Sequence, residues 1–359
     1  MAPTFGPFGV YPPTLGGNEY YGWSVAISST TMIVGATLSN GSAGVAHKFS
    51  STGDYLGLIT APDATAVDYF GARVACSDTH IAISAPYDDD GVVNSGSVYL
   101  FQIDGTYVTK VQSSFISSSG YFGINGLAMD ENYVIASQHR YNSNTGITMV
   151  FDNSGGGKFS VQHNDPAIND YFGYDADIAD GFIVVGAYMK ATHGAAYIFT
   201  DTGSQVAKLL PSDPSGSAMR FGYSVGVSDN TVVVGAPYAD GIVGAVYVFQ
   251  TDGTFLFKIA GASDSISGDQ FGFDLDISSV QNKIIVGAPY RDANAFDSGA
   301  VYTFQLDGTE IQRSYGKLSQ QYFGYAVAIS DTSQPAVGAY FDYSLTGSRT
   351  GGAYLVPDP

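Results

Sequence analysis

Short apolar runs alternate with polar, glycine-rich breaks along the whole chain, and the alternation is periodic. One period reads as a run ending in small residues (Val234-Gly235-Ala236-Pro237), a β-branched and aromatic run (Gly244-Ala-Val-Tyr-Val-Phe249), an Asp252-Gly253 turn and a last run, Thr254-Phe-Leu-Phe-Lys-Ile259. Runs of four to eight Val, Ile, Tyr and Phe residues bounded by Gly, Asp and Asn predict strands joined by hairpins. No 12-residue stretch carries helical apolar spacing. Each period therefore predicts a four-stranded antiparallel sheet, opened by an aromatic-glycine pair. These pairs stand at Tyr21-Gly22, Phe70-Gly71, Phe122-Gly123, Phe172-Gly173, Phe221-Gly222, Phe271-Gly272 and Phe323-Gly324, with glycines 49, 52, 50, 49, 50 and 52 residues apart.

A period near 50 residues is the mark of a repeat architecture. Seven four-stranded sheets cannot bury their faces alone, and radial packing gives an all-β, seven-bladed β-propeller with protected edges. On this reading the recurring glycines serve the crowded axis, where backbones approach closely. A linear solenoid is the alternative, but it needs polar caps at both ends. The chain ends argue for a ring. Gly352-Ala-Tyr-Leu-Val356 is the third strand of the seventh repeat, which lacks a fourth. A spare segment, Thr4 to Pro13, precedes the first repeat, and an offset of 49 lays Val10 on Ile59, Pro13 on Pro62 and Tyr20 on Tyr69. The N-terminal strand is therefore expected to complete the C-terminal blade. Residues 1–359 form one domain, with 1–19 as closing strand and linker and repeats starting near 20, 69, 121, 171, 220, 270 and 322.

An aromatic-glycine pair, then Gly-Ala-Pro, then Gly-x-Val-Tyr-x-Phe resembles the FG-GAP repeat of integrin α-subunit propellers. Ala85-Pro86-Tyr87-Asp88-Asp89-Asp90 and Ser95-Gly96-Ser97-Val98-Tyr99 are closer to the bacterial-type variant. The third repeat departs most, with Asn125-Gly126 and Ala136-Ser137-Gln138 in place of the usual residues. The resemblance implies the propeller fold, an adhesion or binding role, and calcium. Integrin-type calcium sites need an Asp-x-Asp-x-Asp-Gly array between the first two strands, to supply six to eight oxygens. The turns here (Ser77-Asp78-Thr79, Asp130-Glu131-Asn132, Ala179-Asp180-Gly181, Ser228-Asp229-Asn230) are too short and lack it, so calcium is not expected at those loops.

Charge narrows the partners. A net charge of −19 argues against nucleic acid and anionic membranes, which select clustered Lys and Arg. No run of 18 apolar residues predicts a membrane span, and the first ten residues lack the basic and apolar regions of a signal peptide. The single Cys76 falls on an apolar strand position and is expected to be a structural thiol. An extracellular, cell-surface or virion location is expected, reached either without secretion or after removal of a leader.

Strand order puts the turns between strands one and two and between three and four on one face. The longer, irregular connections share the other: Tyr87 to Ser95, Gln138 to Thr145, Tyr188 to His193, Tyr290 to Ser298 and Tyr340 to Thr350. Binding residues concentrate on variable loops held by a rigid scaffold. Tyr87, Tyr188, Tyr238, Tyr290 and Tyr340 recur there and are candidates for stacking on sugars or anchoring a protein; the alternative is that they cover the loop bases. Asp88, Asp89, Asp90, Asp240, Asp292, Arg140 and Arg291 complete the candidate ligand-binding set, with a solvated polar rim as the alternative. Asp175, Asp177, Asp274 and Asp276 replace small residues on the inner strands of two blades. They are candidates for a cation near the axis, or for hydrogen bonds from the adjacent blade.

No catalytic constellation is visible: the five histidines are spread over four repeats and fall on different elements, and no nucleophile elbow or phosphate loop is present. The expected function is non-catalytic recognition of a glycan or a surface protein through the long-loop face. The alternatives are a structural or host-attachment subunit of a larger assembly, such as a virus particle, and an enzyme with its site in the central mouth.

Overall fold

A computed structural model describes residues 7–214, 218–261, 265–343 and 349–357. Seven four-stranded antiparallel sheets form, six of them following chain order from the inner strand outward. The inner strands are Tyr21–Ile27, Val74–Cys76, Leu127–Met129, Phe172–Ala179, Ser224–Ser228, Leu275–Ser278 and Ala326–Ala328 for blades 1 to 7. Contacts between successive inner strands, and between those of blades 7 and 1, close the ring.

The seventh blade is completed from the other end of the chain. Phe8–Val10 pairs antiparallel with Gly352–Leu355, Val10 lying opposite Ala353. In blade 1, Ile59 lies opposite Ala46 in the same relation, so the 49-residue offset holds in register. Val10 is buried, and its carbonyl accepts a hydrogen bond from the Tyr21 hydroxyl at 2.8 Å. Thr4 to Gly6 of the expected closing segment lie outside the described residues.

In second strands such as Thr231–Ala236, residues 232–236 are apolar or small because both faces of the strand are buried. Val232 and Val234 point into the seam with blade 4, and Val233 into the seam with blade 6. The core is thus seven seams rather than one centre, as period-two side chains sandwiched between sheets require.

The aromatic-glycine pairs lie at these seams and not on the axis, which corrects the role expected for them. Each aromatic joins a seam cluster, as Phe70 does between blades 1 and 2. In six of the seven its backbone bridges the glycine that opens the third strand of the preceding blade: Gly44 to Phe70, Gly146 to Phe172, Gly194 to Phe221, Gly244 to Phe271, Gly299 to Phe323 and, across the closure, Gly351 to Tyr21. A Cβ on Gly44 would sit 2.0 Å from the Phe70 carbonyl oxygen, so backbone contact at the seam excludes any side chain.

The long connections are more regular than their sequences suggest. In blades 1, 3 and 5 each contains one turn (Ser39–Ser42, Tyr141–Asn144, Ala239–Ile242) with left-handed residues at Asn40-Gly41, Asn142-Ser143 and Asp240-Gly241. Blades 2 and 6 share a longer loop in which a carboxylate accepts a backbone N–H five residues on, Asn94 to Asp89 and Asp297 to Asp292, both at 2.7 Å. Gly, Asn and Asp tolerate positive φ, so unlike sequences reach one geometry. No described helix is long and apolar enough to cross a membrane.

Candidate functional site

The residue that follows each aromatic-glycine pair faces the central opening on the long-loop side. Around the ring it is Trp23, Ala72, Ile124, Tyr174, Tyr223, Phe273 and Tyr325. Five aromatic rings make an arc: Trp23 to Tyr325 5.2 Å, Tyr325 to Phe273 5.2 Å, Phe273 to Tyr223 5.2 Å and Tyr223 to Tyr174 4.7 Å between centroids. Ala72 and Ile124 break it at blades 2 and 3. A cavity of about 460 Å³ opens against that break, walled by Trp23, Tyr69, Tyr87, Ile124 and the arc.

One residue further along each inner strand is a polar level: Ser24, Arg73, Asn125, Asp175, Ser224 and Asp274, with Ala326 in blade 7. Arg73, Asn125, Asp175 and Asp274 line both this cavity and a second one that reaches the short-turn end of the channel. They form the plate between the two. Arg73 is the one Lys or Arg among the residues lining either cavity. Burial alone would pull its guanidinium down, but Asp274 and Asp175 outweigh that and hold it above its ordinary value.

The four axial aspartates brace neighbouring blades. Asp175 and Asp177 of blade 4 accept the backbone N–H groups of Val225 and Val227 of blade 5, each at 2.8 Å. Asp274 and Asp276 of blade 6 accept those of Val327 and Ile329 of blade 7, at 2.7 and 2.8 Å. Burial pushes Asp175 up to about 8, helped by the Asp274 charge, and lifts Asp177 and Asp274 to about 6. Asp276 is also raised well above the carboxylate range, by burial and then by Asp177. No group of three or more His, Cys, Asp or Glu arranged to hold a metal occurs among the described residues.

The short-turn end is acidic, but its carboxylates also tie blade to blade. Asp78 accepts the Ser29 N–H and hydroxyl, Glu131 accepts the Asp78 N–H, and Asp180 accepts the Asp229 N–H. Cys76 lines this end half-buried rather than sealed in the core, and burial with the surrounding carboxylates pushes its thiol up.

The candidate residues of the long-loop face separate into two groups. Tyr87 lies over the break in the arc, 4.8 Å from both Tyr69 and Tyr121. Tyr188, Tyr290 and Tyr340 back the arc from behind, against Tyr174 (4.3 Å), Phe273 (5.8 Å) and Tyr325 (4.4 Å). Tyr238 lies beneath the Arg220 guanidinium at 3.7 Å, and Arg140 covers Tyr121 at 4.6 Å. The charged residues lie away from the mouth in local braces. Asp88 accepts the Tyr99 hydroxyl and pairs with Lys110, which also holds Asp90 and Asp63. Asp240 and Asp213 hold Lys258 in the same way, and Arg291 pairs with buried Asp269 at 3.0 Å. Asp89 and Asp292 staple their own loops.

Sequence reasoning missed the inner arc and Arg73. The signal was present in the residue after each glycine, but it is aromatic in five repeats and small or aliphatic in two, which hides it as a motif.

A family model described as the FG-GAP repeat matches residues 15–49, 57–101, 162–199, 204–249, 258–304 and 317–356. The stretch without a match, 102–161, holds most of the divergent third blade. Comparison with curated proteins gives no match.

Proposed function

The chain belongs to the FG-GAP repeat family, and from that premise we propose that it is a non-catalytic binding module that recognises a glycan through the aromatic mouth of its long-loop face. The observation that carries this reading is the cavity of about 460 Å³ bounded by half-buried rings. Its size is in the range of small-ligand sites, roughly 300–1,000 Å³. Flat apolar faces with polar tips suit the alternating CH and OH surfaces of a sugar ring.

The distribution of exposed apolar side chains favours the same face. Apart from those on the outer strands (among them Leu56, Leu58, Val206 and Leu256), the exposed apolar residues described include Val67, Val93, Ile116, Ile168, Met189, Ile242, Ile266, Phe296 and Leu318 on the long connections, against Val280 on the short turns. Such tips suit a recognition surface that meets a cell or particle surface around the bound sugar.

The test is a glycan array probed with the full chain, its Trp23→Ala and Tyr223→Ala variants, and a rim variant, Arg140→Ala. Binding to a subset of glycans is expected, weakened at least about tenfold in the two mouth variants, consistent with aromatic contacts of about 1.4 kcal/mol or more. The rim variant is expected to bind as the parent does. A blank array with a folded protein overturns the reading.

A further inference from the structure

Resting on that reading, we propose that the mouth selects acidic sugars, with the sugar carboxylate seated on the Arg73 guanidinium at the cavity floor.

Arg73 is a cation in search of a partner. Deep in the ring, its side chain makes no hydrogen bond and no close ion pair with any described residue, though its backbone is bound to Ser84. A guanidinium offers five N–H donors in a planar fork that matches a carboxylate. The two carboxylates nearest in charge, Asp175 and Asp274, are each engaged by a backbone N–H of the next blade. When ionised they offset the Arg73 charge, and in neither state do they occupy its fork.

The cavity is shaped around this residue. Ala72 precedes Arg73 in the chain and, with Ile124, stands where the other blades carry Trp, Tyr or Phe. The break in the arc is therefore the open side of the cavity, and Arg73 lies at its base. A pyranose ring entering there meets Trp23, Tyr69 and Tyr87 on its flanks. Arg–carboxylate pairing out of bulk water is stronger and more directional than a neutral contact, which gives the preference for an acidic over a neutral ring.

The plate also makes that preference depend on pH. Around Arg73 the titratable groups are Asp175, Asp274, Tyr174, Tyr223 and Tyr325, with Asp177 and Asp276 one step along the axis. The tyrosines are held neutral by their raised values. Asp175 keeps its proton to about 8 and Asp274 to about 6. As pH falls through that window the floor gains net positive charge, while a sugar carboxylate, with an ordinary acid pKa of about 3.5, stays ionised.

Trp23 is the chain's single tryptophan and lines the cavity, so its fluorescence reports occupancy. Sodium glucuronate and glucose are titrated into the full chain at matched ionic strength, at about pH 5.5 and pH 8. Glucuronate is expected to bind at least about tenfold tighter than glucose, and tighter at the lower pH. Arg73→Gln is expected to bind glucuronate no better than glucose while still binding glucose. Ala72→Tyr, which keeps Arg73 and fills the break, is expected to bind neither, and it carries the test if Arg73→Gln fails to fold. Equal affinity for the two sugars, or a preference that survives Arg73→Gln, overturns the proposal and leaves the glycan reading standing. No response to any sugar, with the array also blank, removes both.

Discussion

Asp175 shows how one side chain serves both assembly and binding. Its carboxyl ties blade 4 to blade 5 through Val225 N–H, yet it shares the channel floor with Asp274 and Arg73. Folding raises its pKa from 3.8 to about 8, so the folded protein holds a proton that the unfolded chain releases near 4. The contribution to stability is therefore complete below the unfolded value and is lost as pH rises through the folded one. Asp177 and Asp274 act in the same sense over a narrower window, up to about 6. The slope is at most about 1.4 kcal/mol per pH unit per group, reduced here because the carboxyl touches channel water. Asp175→Asn keeps an oxygen for the Val225 N–H and carries no charge. It is expected to melt near the parent at about pH 5 and several degrees above it at about pH 9. Melting curves across that range check this, and a variant that tracks the parent at both ends would show that Asp175 ionises freely in the fold.

At the scale of the strand and turn, the seams between blades are held by backbone approaching backbone, and glycine is what permits it. Gly44 and Gly41 isolate that effect. Both have positive φ, +82° and +69°, so alanine meets similar left-handed strain at each. A Cβ at 41 meets nothing within 4 Å, while at 44 it would lie 2.0 Å from the Phe70 carbonyl oxygen. Gly41→Ala is expected to cost about 1 kcal/mol and Gly44→Ala at least about 3 kcal/mol, read from urea unfolding of the two variants. Equal losses would mean that strain alone, and not the seam, demands glycine. The elements themselves were legible from sequence because each repeat states them again: the runs, the Asp-Gly turns and the small residues recur in register. The partner of each aromatic-glycine pair was not, because Gly44 and Phe70 belong to different blades and no local pattern joins them. The loops misled for the opposite reason. Asn40-Gly41, Asn142-Ser143 and Asp240-Gly241 look unlike as letters and fold alike.

For the molecule as a whole, repetition made the propeller readable and concealed its mouth. Seven aligned pairs announce the ring, whereas Ala72, Arg73 and Ile124 are departures that averaging over repeats removes. Closure depends on a similar singularity. One three-residue strand, Phe8–Val10, completes blade 7 and makes it the one blade built from both ends of the chain, beside the contacts that Tyr21–Ile27 of blade 1 makes with blade 7. Val10 fills the seam cluster shared with Tyr21, Val34 and Leu355, and Tyr21 loses its hydroxyl acceptor if that strand leaves. Without it the Gly352–Leu355 edge stands open, with unpaired backbone groups of the kind that template aggregation. A chain lacking the first 13 residues is therefore expected to melt well below the parent and to associate at concentrations where the parent is monodisperse. Because the closing strand contributes its own backbone pairing and one buried side chain, a synthetic peptide spanning those 13 residues is expected to restore much of the melting temperature when added in excess. The same peptide with Val10→Asp places a charge in the seam and is expected to fail. Rescue by both peptides alike, or a truncated chain that melts with the parent, would mean that the inter-blade seams hold the ring shut without the N-terminal strand.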